Sequence, residues 1–111
     1  MTLWTAALGN TDRTRVLLTT SNAEILSAAL GSIAVAKIRL VNITGGAVTY
    51  DLDVYDGTTH KYLAQGHSLA ANTEIDIYDE SLAKGEALWA KAGANTSIWI
   101  HVLSSLPNKP T

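Results

Sequence analysis

The stretch Val48-Thr49-Tyr50-Asp51-Leu52-Asp53-Val54-Tyr55 alternates apolar and polar residues. Successive side chains of a β-strand point to opposite faces, so this period of two predicts a strand with one buried face. The preceding stretch, Lys37-Ile38-Arg39-Leu40-Val41-Asn42-Ile43, has the same pattern, and Thr44-Gly45-Gly46 separates the two. Two such runs around a glycine-rich break predict a β-hairpin.

The same pattern recurs along the rest of the chain. Further strand-like runs are residues 13–20, 60–65, 73–79, 86–92 and 97–103. Turn residues separate them at intervals of about 8–12 residues, which is typical of β-sandwiches and barrels. We therefore predict an all-β fold, a two-sheet antiparallel β-sandwich of about eight strands with jelly-roll or immunoglobulin-like topology.

Two segments fit more than one local structure. Residues 22–31 fit a short helix with Asn22 as its N-cap and Gly31 after its C-terminus, and they equally fit a strand over residues 24–27. Residues 81–84 fit a single helical turn before the next glycine. The pattern alone leaves both alternatives open.

The composition excludes several classes of protein. With 111 residues, 47% of them hydrophobic and 16% charged, the chain suits one folded domain rather than a disordered one. The net charge of −2 argues against a surface that binds nucleic acid through its phosphates. No apolar run approaches the roughly 18 residues of a membrane span, and the N-terminal sequence predicts no signal peptide. The absence of cysteine excludes disulfides and thiol catalysis.

We divide this single domain into three parts. They are an N-terminal strand or arm (residues 1–22), a β-sandwich core (residues 23–104) and a C-terminal tail (residues 105–111). Pro107 and Pro110 disfavour sheet pairing in the tail, because proline cannot donate to a strand ladder.

The parity of the apolar residues predicts a register for the first hairpin. Both strands must turn their apolar residues to the core, and a three-residue loop over 44–46 satisfies this condition. The expected cross-strand neighbours are Leu40 with Tyr50, Ile38 with Leu52, Arg39 with Asp51 and Lys37 with Asp53. The last two pairs are expected to be salt bridges on the outer face, worth about 0.2–1 kcal/mol each.

The same argument applies to the last two strands, around the loop Gly93-Ala94-Asn95. It places Trp89 directly opposite Trp99 on the face away from the core, and His101 and Leu103 continue that face. Exposed apolar patches mark interfaces, which favours a protein contact here. A contact within the core and a sugar-stacking platform remain alternatives.

The apolar positions that keep the period of two form the predicted core. They are Ile38, Leu40, Leu52, Val54, Ile75, Ile77, Leu88, Ile98, Ile100 and Val102.

Four stretches carry a resemblance to small virion proteins of tailed bacteriophages. They are Lys37-Ile38-Arg39-Leu40-Val41-Asn42, Val54-Tyr55-Asp56-Gly57-Thr58, Leu69-Ala70-Ala71-Asn72 and Leu82-Ala83-Lys84-Gly85-Glu86-Ala87-Leu88-Trp89-Ala90-Lys91-Ala92. The chain resembles this family over residues 23–103, with Glu86 where many relatives have aspartate. The resemblance implies a β-sandwich structural protein and favours the strand at residues 24–27.

The resemblance implies a structural role, most specifically as a capsid decoration or accessory protein. Its expected partners are further copies of itself, with three copies as the specific expectation, and the major capsid protein or other virion proteins. We expect it in the virion, after synthesis in the host bacterial cytoplasm, with no membrane and no specific nucleic acid as partners. The expected interface residues are Trp4, Trp89, Trp99, His101 and Leu103. The alternatives are a tail-fibre, neck or tail component, and a carbohydrate-binding module lined by Trp89, Trp99 and Tyr78.

No set of residues in the sequence predicts catalysis. The three histidines lack the spacing of metal ligands, and no nucleophile or phosphate-binding motif occurs. The acidic series Asp51, Asp53 and Asp56 lacks the glycine and later glutamate of a calcium loop. The carboxylates between residues 74 and 80 fit a solvated strand face better than a glycosidase pair. We therefore expect no enzyme activity, no metal and no cofactor.

Overall fold

The computed structural model describes residues 11–105, which form eight β-strands. The strands are β1 (Thr11–Leu17), β2 (Ala23–Ser27), β3 (Ile33–Asn42), β4 (Val48–Tyr55), β5 (His60–Leu69), β6 (Glu74–Leu82), β7 (Ala87–Ala92) and β8 (Ile98–Ser105). Within this range no helix occurs that is long and apolar enough to cross a membrane.

The strands form two four-stranded antiparallel sheets. Sheet 1 has the order β1-β8-β3-β6, and sheet 2 has the order β2-β7-β4-β5. The pairs β1–β8, β2–β7, β3–β6 and β4–β5 are therefore nested inside one another. This nesting is the jelly-roll arrangement, and it differs from the immunoglobulin arrangement of strands. The predicted two-sheet β-sandwich is confirmed, and of the two topologies it is a jelly roll.

The core lies between the two sheets and contains most of the residues that the period of two selects. Seven of the ten predicted core residues are buried, namely Ile38, Leu40, Leu52, Leu88, Ile98, Ile100 and Val102. Val54 and Ile77 are partly buried and pack against this core. Ile75 is 38% exposed, so its assignment to the core is wrong. It lies on β6, an edge strand with a neighbour on one side only.

The two ambiguous segments are both non-helical. Residues 23–27 form strand β2, which pairs with β7 and has a bulge between Glu24 and Leu26. At residues 81–84, β6 continues to Leu82 and a turn follows. The Glu86 carboxylate accepts a hydrogen bond of 2.7 Å from the Ala83 N–H and closes that turn.

The predicted hairpin between β3 and β4 is wrong, because these strands lie in different sheets. Leu40 lies opposite Ile75 of β6 and Ile100 of β8, rather than opposite Tyr50. In a sandwich, both sheets turn their apolar residues inward. The parity of two successive strands is therefore the same whether the chain turns back within a sheet or crosses to the other sheet.

Asn42 holds the crossing from β3 to β4 in place. Its side chain is fully buried, and its Nδ2 donates to the carbonyl oxygens of Gly46 and Leu69, both at 2.9 Å. A third acceptor is the Ala70 carbonyl at 3.2 Å. Its Oδ1 accepts from the Thr44 N–H at 2.9 Å. Residues 44–46 and 69–70 thus satisfy both Nδ2 hydrogens and Oδ1 of this buried amide, so Asn42 fixes the path of the chain as it leaves sheet 1.

The predicted hairpin between β7 and β8 is wrong for the same reason. Leu88 lies opposite Val54 in sheet 2, whereas Ile100 lies opposite Leu40 in sheet 1. Gly93 begins the connection, and its N–H donates to the Thr49 carbonyl at 2.8 Å. A Cβ at Gly93 would collide with the Thr49 side-chain oxygen unless that side chain moved, so glycine favours this close approach.

Among the described strands, β4 and β5 are the one pair that is consecutive in sequence and also paired in a sheet. Asp56 organises their turn, because its Oδ1 accepts hydrogen bonds from the Thr58 and Thr59 N–H groups, both at 2.8 Å. These bonds lower the pKa of Asp56. Gly57 follows with a φ of 97°, a conformation that favours glycine.

Strand β1 lies within the segment assigned to an N-terminal strand or arm. It pairs along its whole length with β8 and so contributes to the sandwich. Trp4, Pro107 and Pro110 lie outside the described residues.

Candidate functional site

Four of the five expected interface residues lie on two opposite outer faces of the sandwich, and the fifth, Trp4, lies outside the described residues. Trp99, His101 and Leu103 alternate with buried residues of β8, so they point outward from sheet 1. Trp89 lies between the buried Leu88 and Ala90 of β7 and points outward from sheet 2. The predicted pairing of Trp89 with Trp99 is therefore wrong, because it rested on the β7–β8 hairpin. Whether these residues form an interface stays a prediction.

The outer face of sheet 1 carries four cationic side chains, and we call it the cationic face. Its strands form three cross-strand rows, which are Leu17–Trp99–Val41–Glu74, Arg15–His101–Arg39–Asp76 and Arg13–Leu103–Lys37–Tyr78. Cations from β1 and β3 flank the central strand β8 on both sides. The space between them is a trough of about 330 Å³ with His101 and Leu103 among its lining residues.

Arg39 has an acidic partner on this face. Its Nε lies 2.7 Å from Oδ1 of Asp76 and its Nη2 lies 3.0 Å from Oδ2, in a two-pronged ion pair. The Tyr78 hydroxyl also donates to Asp76, at 3.2 Å. The hydrogen bonds and charge of Arg39 hold the pKa of Asp76 below its usual value, and Asp76 raises the pKa of Arg39.

The salt bridges predicted from the first hairpin are wrong. Arg39 pairs with Asp76 rather than Asp51, and Lys37 lies opposite Tyr78 and Leu103 rather than Asp53. The cause is again the separation of β3 and β4 into different sheets.

The remaining cations of this face are not neutralised by the described part of the chain. Within residues 11–105, no carboxylate lies within ion-pair distance of Arg13, Arg15 or Lys37. Burial, followed by the charges of Arg15 and Arg39, lowers the pKa of His101, so its imidazole is neutral at pH 7. The trough therefore has positive side chains from β1 and β3 on its two sides and the neutral His101 of β8 between them.

The Arg39–Asp76 pair predicts a titration. In Arg39→Gln the pKa of Asp76 should rise towards 3.8, because the ion pair that favours the carboxylate is removed. In the wild type, the pair stabilises the fold above the unfolded-state pKa, and this stabilisation is lost as the pH falls through the lower folded-state pKa. A carboxyl-resolved NMR pH titration measures the shift. Arg13→Gln is the control, and an equal shift there would contradict the assignment.

The outer face of sheet 2 is built around a fully buried carboxylate, Asp53. His60 Nδ1 lies 2.7 Å from its Oδ1, and Asn22 Nδ2 donates to its Oδ2 at 3.1 Å. The His60 ring stacks on Tyr55 at a centroid distance of 4.2 Å and meets the edge of Trp89 at 5.4 Å. We call these five residues the aromatic cluster. Its other four members enclose Asp53, whose carboxylate has no exposed surface.

The other carboxylates of the series also have partners of their own. Lys91 Nζ lies 3.6 Å from Asp51, and Lys61 Nζ lies 3.5 Å from Asp56. In the described part of the chain, no three histidine, aspartate or glutamate side chains form a group that could hold a metal ion.

Comparisons with known proteins show the fold. No protein-family model matches the chain, and no curated protein matches it either. A chain from Bacillus endospore appendages, described as a novel family of disulfide-linked pili, aligns with a TM-score of 0.51 at 13% identity, over 86% of this chain and 85% of that chain. The nucleoplasmin-like N-terminal domain of Drosophila FKBP39 aligns with a TM-score of 0.51 at 8% identity, over 91% and 93%.

A third structure is a pentameric capsid protein from metagenomic phage sequences. It aligns with a TM-score of 0.48 at 18% identity, over 88% of this chain and 66% of that chain. At these identities, the likeness concerns the fold alone.

Proposed function

We propose that this chain is a non-enzymatic structural protein of a bacteriophage particle, in which copies associate through the outer faces of the sandwich. A capsid decoration or accessory protein is the specific role. The cationic face carries the proposal, because it combines the half-buried Trp99 and Leu103 with charges that the described chain leaves without partners. A surface of this kind is completed by association.

Two further observations support a structural role. The four sequence stretches that resemble phage virion proteins lie on strands and turns of the jelly roll. The appendage subunit with the same fold belongs to pili described as disulfide-linked. This chain has no cysteine, so its copies would associate without covalent bonds.

The same observations speak against the rival functions. An enzyme needs an accessible reactive group, and the buried Asp53 is closed off by the aromatic cluster. A sugar platform lined by Trp89, Trp99 and Tyr78 needs these three rings on one face. Trp99 and Tyr78 point outward from sheet 1, whereas Trp89 points outward from sheet 2, on the opposite side of the sandwich. A non-catalytic role in assembly accounts for both faces.

Trp99→Ser should weaken self-association by about 30-fold, because an aromatic anchor at the centre of an interface contributes about 2 kcal/mol. Sedimentation equilibrium of the purified protein measures the dissociation constant. Leu30→Ser is the control, since Leu30 is 99% exposed in the turn between β2 and β3 rather than on a strand. A monomer at all concentrations, or equal effects of the two variants, would contradict the proposal. The mass also tests the expectation of three copies.

Placement in the virion needs a separate measurement. An antibody against the protein should decorate particles of a phage that encodes it, in immunogold electron microscopy. Label found in the lysate and absent from intact and opened particles would contradict a virion role.

A further inference from the structure

The positive charge of the cationic face is not balanced by the rest of the chain. Its four cations include all three arginines of the chain, and they are Arg13, Arg15, Arg39 and Lys37. All ten aspartate and glutamate residues lie within residues 11–105, and of these Asp76 alone forms an ion pair with a cation of this face. Like charges held this close repel one another, so the trough is complementary to an anionic group from outside the chain.

We propose that the trough binds an extended acidic segment of another protein of the particle, with two carboxylates placed two residues apart. This inference rests on the proposed function and names the chemistry of the partner on which the sandwich docks. The segment lies over β8 and runs along the strands, between the cations of β1 and those of β3.

The spacing of the cations matches that of such a segment. Arg15 and Arg39 lie in one cross-strand row, and Arg13 and Lys37 lie in the next, two residues further along their strands. Two residues of a β-strand span about 6.8 Å, which is also the distance between successive side chains on one side of an extended partner. Each carboxylate therefore meets one row of cations, and the side chain between them points away from the face.

The width of the trough admits one extended chain. Strands β1 and β3 are separated by β8 alone, so they lie about 9.6 Å apart. The trough between them has a volume of about 330 Å³, which is room for a few side chains rather than for a folded surface. The half-buried Leu103 and the neutral His101 lie between the cations and contact the stems of the acidic side chains.

The face already contains one carboxylate bound in this way. Asp76 takes both prongs of the Arg39 guanidinium, at 2.7 and 3.0 Å. The planar fork of arginine matches the two oxygens of a carboxylate, which a lysine ammonium does not. Arg13 and Arg15 offer the same fork on the other side of β8, and within residues 11–105 no carboxylate lies within ion-pair distance of either. These two arginines are therefore the main contacts of the acidic segment.

A second copy of the chain does not supply this segment. Carboxylates two residues apart occur in it at Asp51 and Asp53 on β4 and at Glu74 and Asp76 on β6. Asp53 is fully buried, and Asp76 is already paired with Arg39. Each pair thus has one carboxylate that is not available, so the partner is a different protein.

A nucleic acid fits these observations less well. Glu74 and Asp76 point outward along β6 at the border of the face, and the chain has eight further acidic residues. A phosphate backbone that continues beyond the trough would be repelled by these charges. A short acidic segment is confined to the trough.

Two synthetic peptides test the spacing. Both have eight residues and blocked ends, and both contain six threonines and two glutamates. In the first peptide the glutamates are the fourth and sixth residues, whereas in the second they are the fourth and fifth. The first should bind about fivefold more tightly in 50 mM NaCl, because only one carboxylate of the second faces the trough. Two-dimensional NMR titration measures both dissociation constants, and the amide signals of β1 and β8 should shift most.

Two variants locate the site. The double variant Arg13→Gln with Arg15→Gln should weaken binding of the first peptide at least tenfold and remove the difference between the peptides. Lys84→Gln is the control, since it removes one cation from an exposed turn between β6 and β7 and should leave both constants unchanged. In the wild type the first peptide should also raise the pKa of His101. Burial and the charges of Arg15 and Arg39 lower this pKa, and a bound carboxylate offsets those charges.

The outcomes separate this inference from the proposed function. Equal binding of the two peptides, or equal losses in the double variant and Lys84→Gln, would overturn the inference. So would a 30-nucleotide single-stranded DNA that binds the wild type more tightly than the first peptide at 150 mM NaCl and is lost in the double variant, which would favour nucleic acid. An oligomer that ignores both peptides would overturn the inference and leave the proposed association of copies in place. A monomer that binds the first peptide as expected would support the trough and contradict that association.

Discussion

Ile100→Ala is expected to lower the free energy of unfolding by about 2–5 kcal/mol, the range for removing a large aliphatic side chain from a packed core. Ile100 is fully buried at the middle of β8, between Val16 and Leu40 on the neighbouring strands. Strands β1 and β3 flank Ile100 within sheet 1, and sheet 2 packs over its side chain. The neighbours cannot close the gap without moving a sheet, so the loss includes a cavity as well as the transfer free energy.

Ile75→Ala is the matched control, because it removes the same atoms from the edge strand β6. Ile75 is 38% exposed, so its loss should be below about 1 kcal/mol. Urea denaturation followed by circular dichroism measures both variants. A difference from wild type of less than about half a kcal/mol for Ile100→Ala would contradict its central position in the core.

The comparison between these two isoleucines shows what hydrophobic periodicity predicts. It correctly selects the faces of the strands, because burial of alternate side chains is a local property. It does not indicate whether a strand is central or at an edge, which depends on pairings between distant segments. Ile75 satisfies the same period as Ile100 and yet lies at the rim of the sheet.

The parity of the apolar residues could not predict the order of the strands, for a related reason. A short loop such as residues 43–47 can reverse the chain within a sheet or lead it across to the other sheet, and both paths turn the same residues inward. The buried Asn42 decides between them here, through hydrogen bonds to loops distant in sequence. A polar residue at an inward-facing position of β3 was the available signal.

Of the charged residues predicted to pair on the outer faces, Arg39 and Asp51 pair with other residues, whereas Lys37 has no ion-pair partner within residues 11–105. Arg39 pairs with Asp76, and Asp51 pairs with Lys91, on strands that the sequence could not place side by side. Opposite charges between two successive strands therefore supported an incorrect register. In a small sandwich every outward carboxylate has several candidate cations within reach, which makes complementarity a weak test of pairing.

The Asp53 site was missed because its parts come from four separate segments of the chain. Asn22 precedes β2, Asp53 lies on β4 and His60 begins β5, whereas Trp89 covers them from β7. The predicted hairpin register gave Asp53 a surface salt bridge with Lys37, and for His60 the sequence indicated only that it lacks the spacing of a metal ligand. The unusual feature is that Asp53 has no exposed surface, so its two carboxylate oxygens have Asn22 and His60 as partners instead of water.

His60→Leu is expected to lower the free energy of unfolding at pH 7 by about 3 kcal/mol. The substitution keeps apolar bulk beside Tyr55 and Trp89 but removes the Nδ1 contact with Asp53. Removing one partner of a buried carboxylate is strongly destabilising. Because the His60 side chain is partly exposed, we expect a loss of stability near the lower end of the range for buried pairs. Urea denaturation measures it.

His67→Leu is the control on the same strand, where the exposed imidazole makes an edge contact with Tyr50 and no ion pair in the described residues. Its loss should stay below about 1 kcal/mol. Adding Asp53→Asn to His60→Leu should recover part of the stability, because a neutral amide is easier to bury than a carboxylate. The new amide can also donate to Asn22 Oδ1, which is buried without a partner. Equal losses in the two histidine variants, or no recovery in the double variant, would show that Asp53 does not depend on His60.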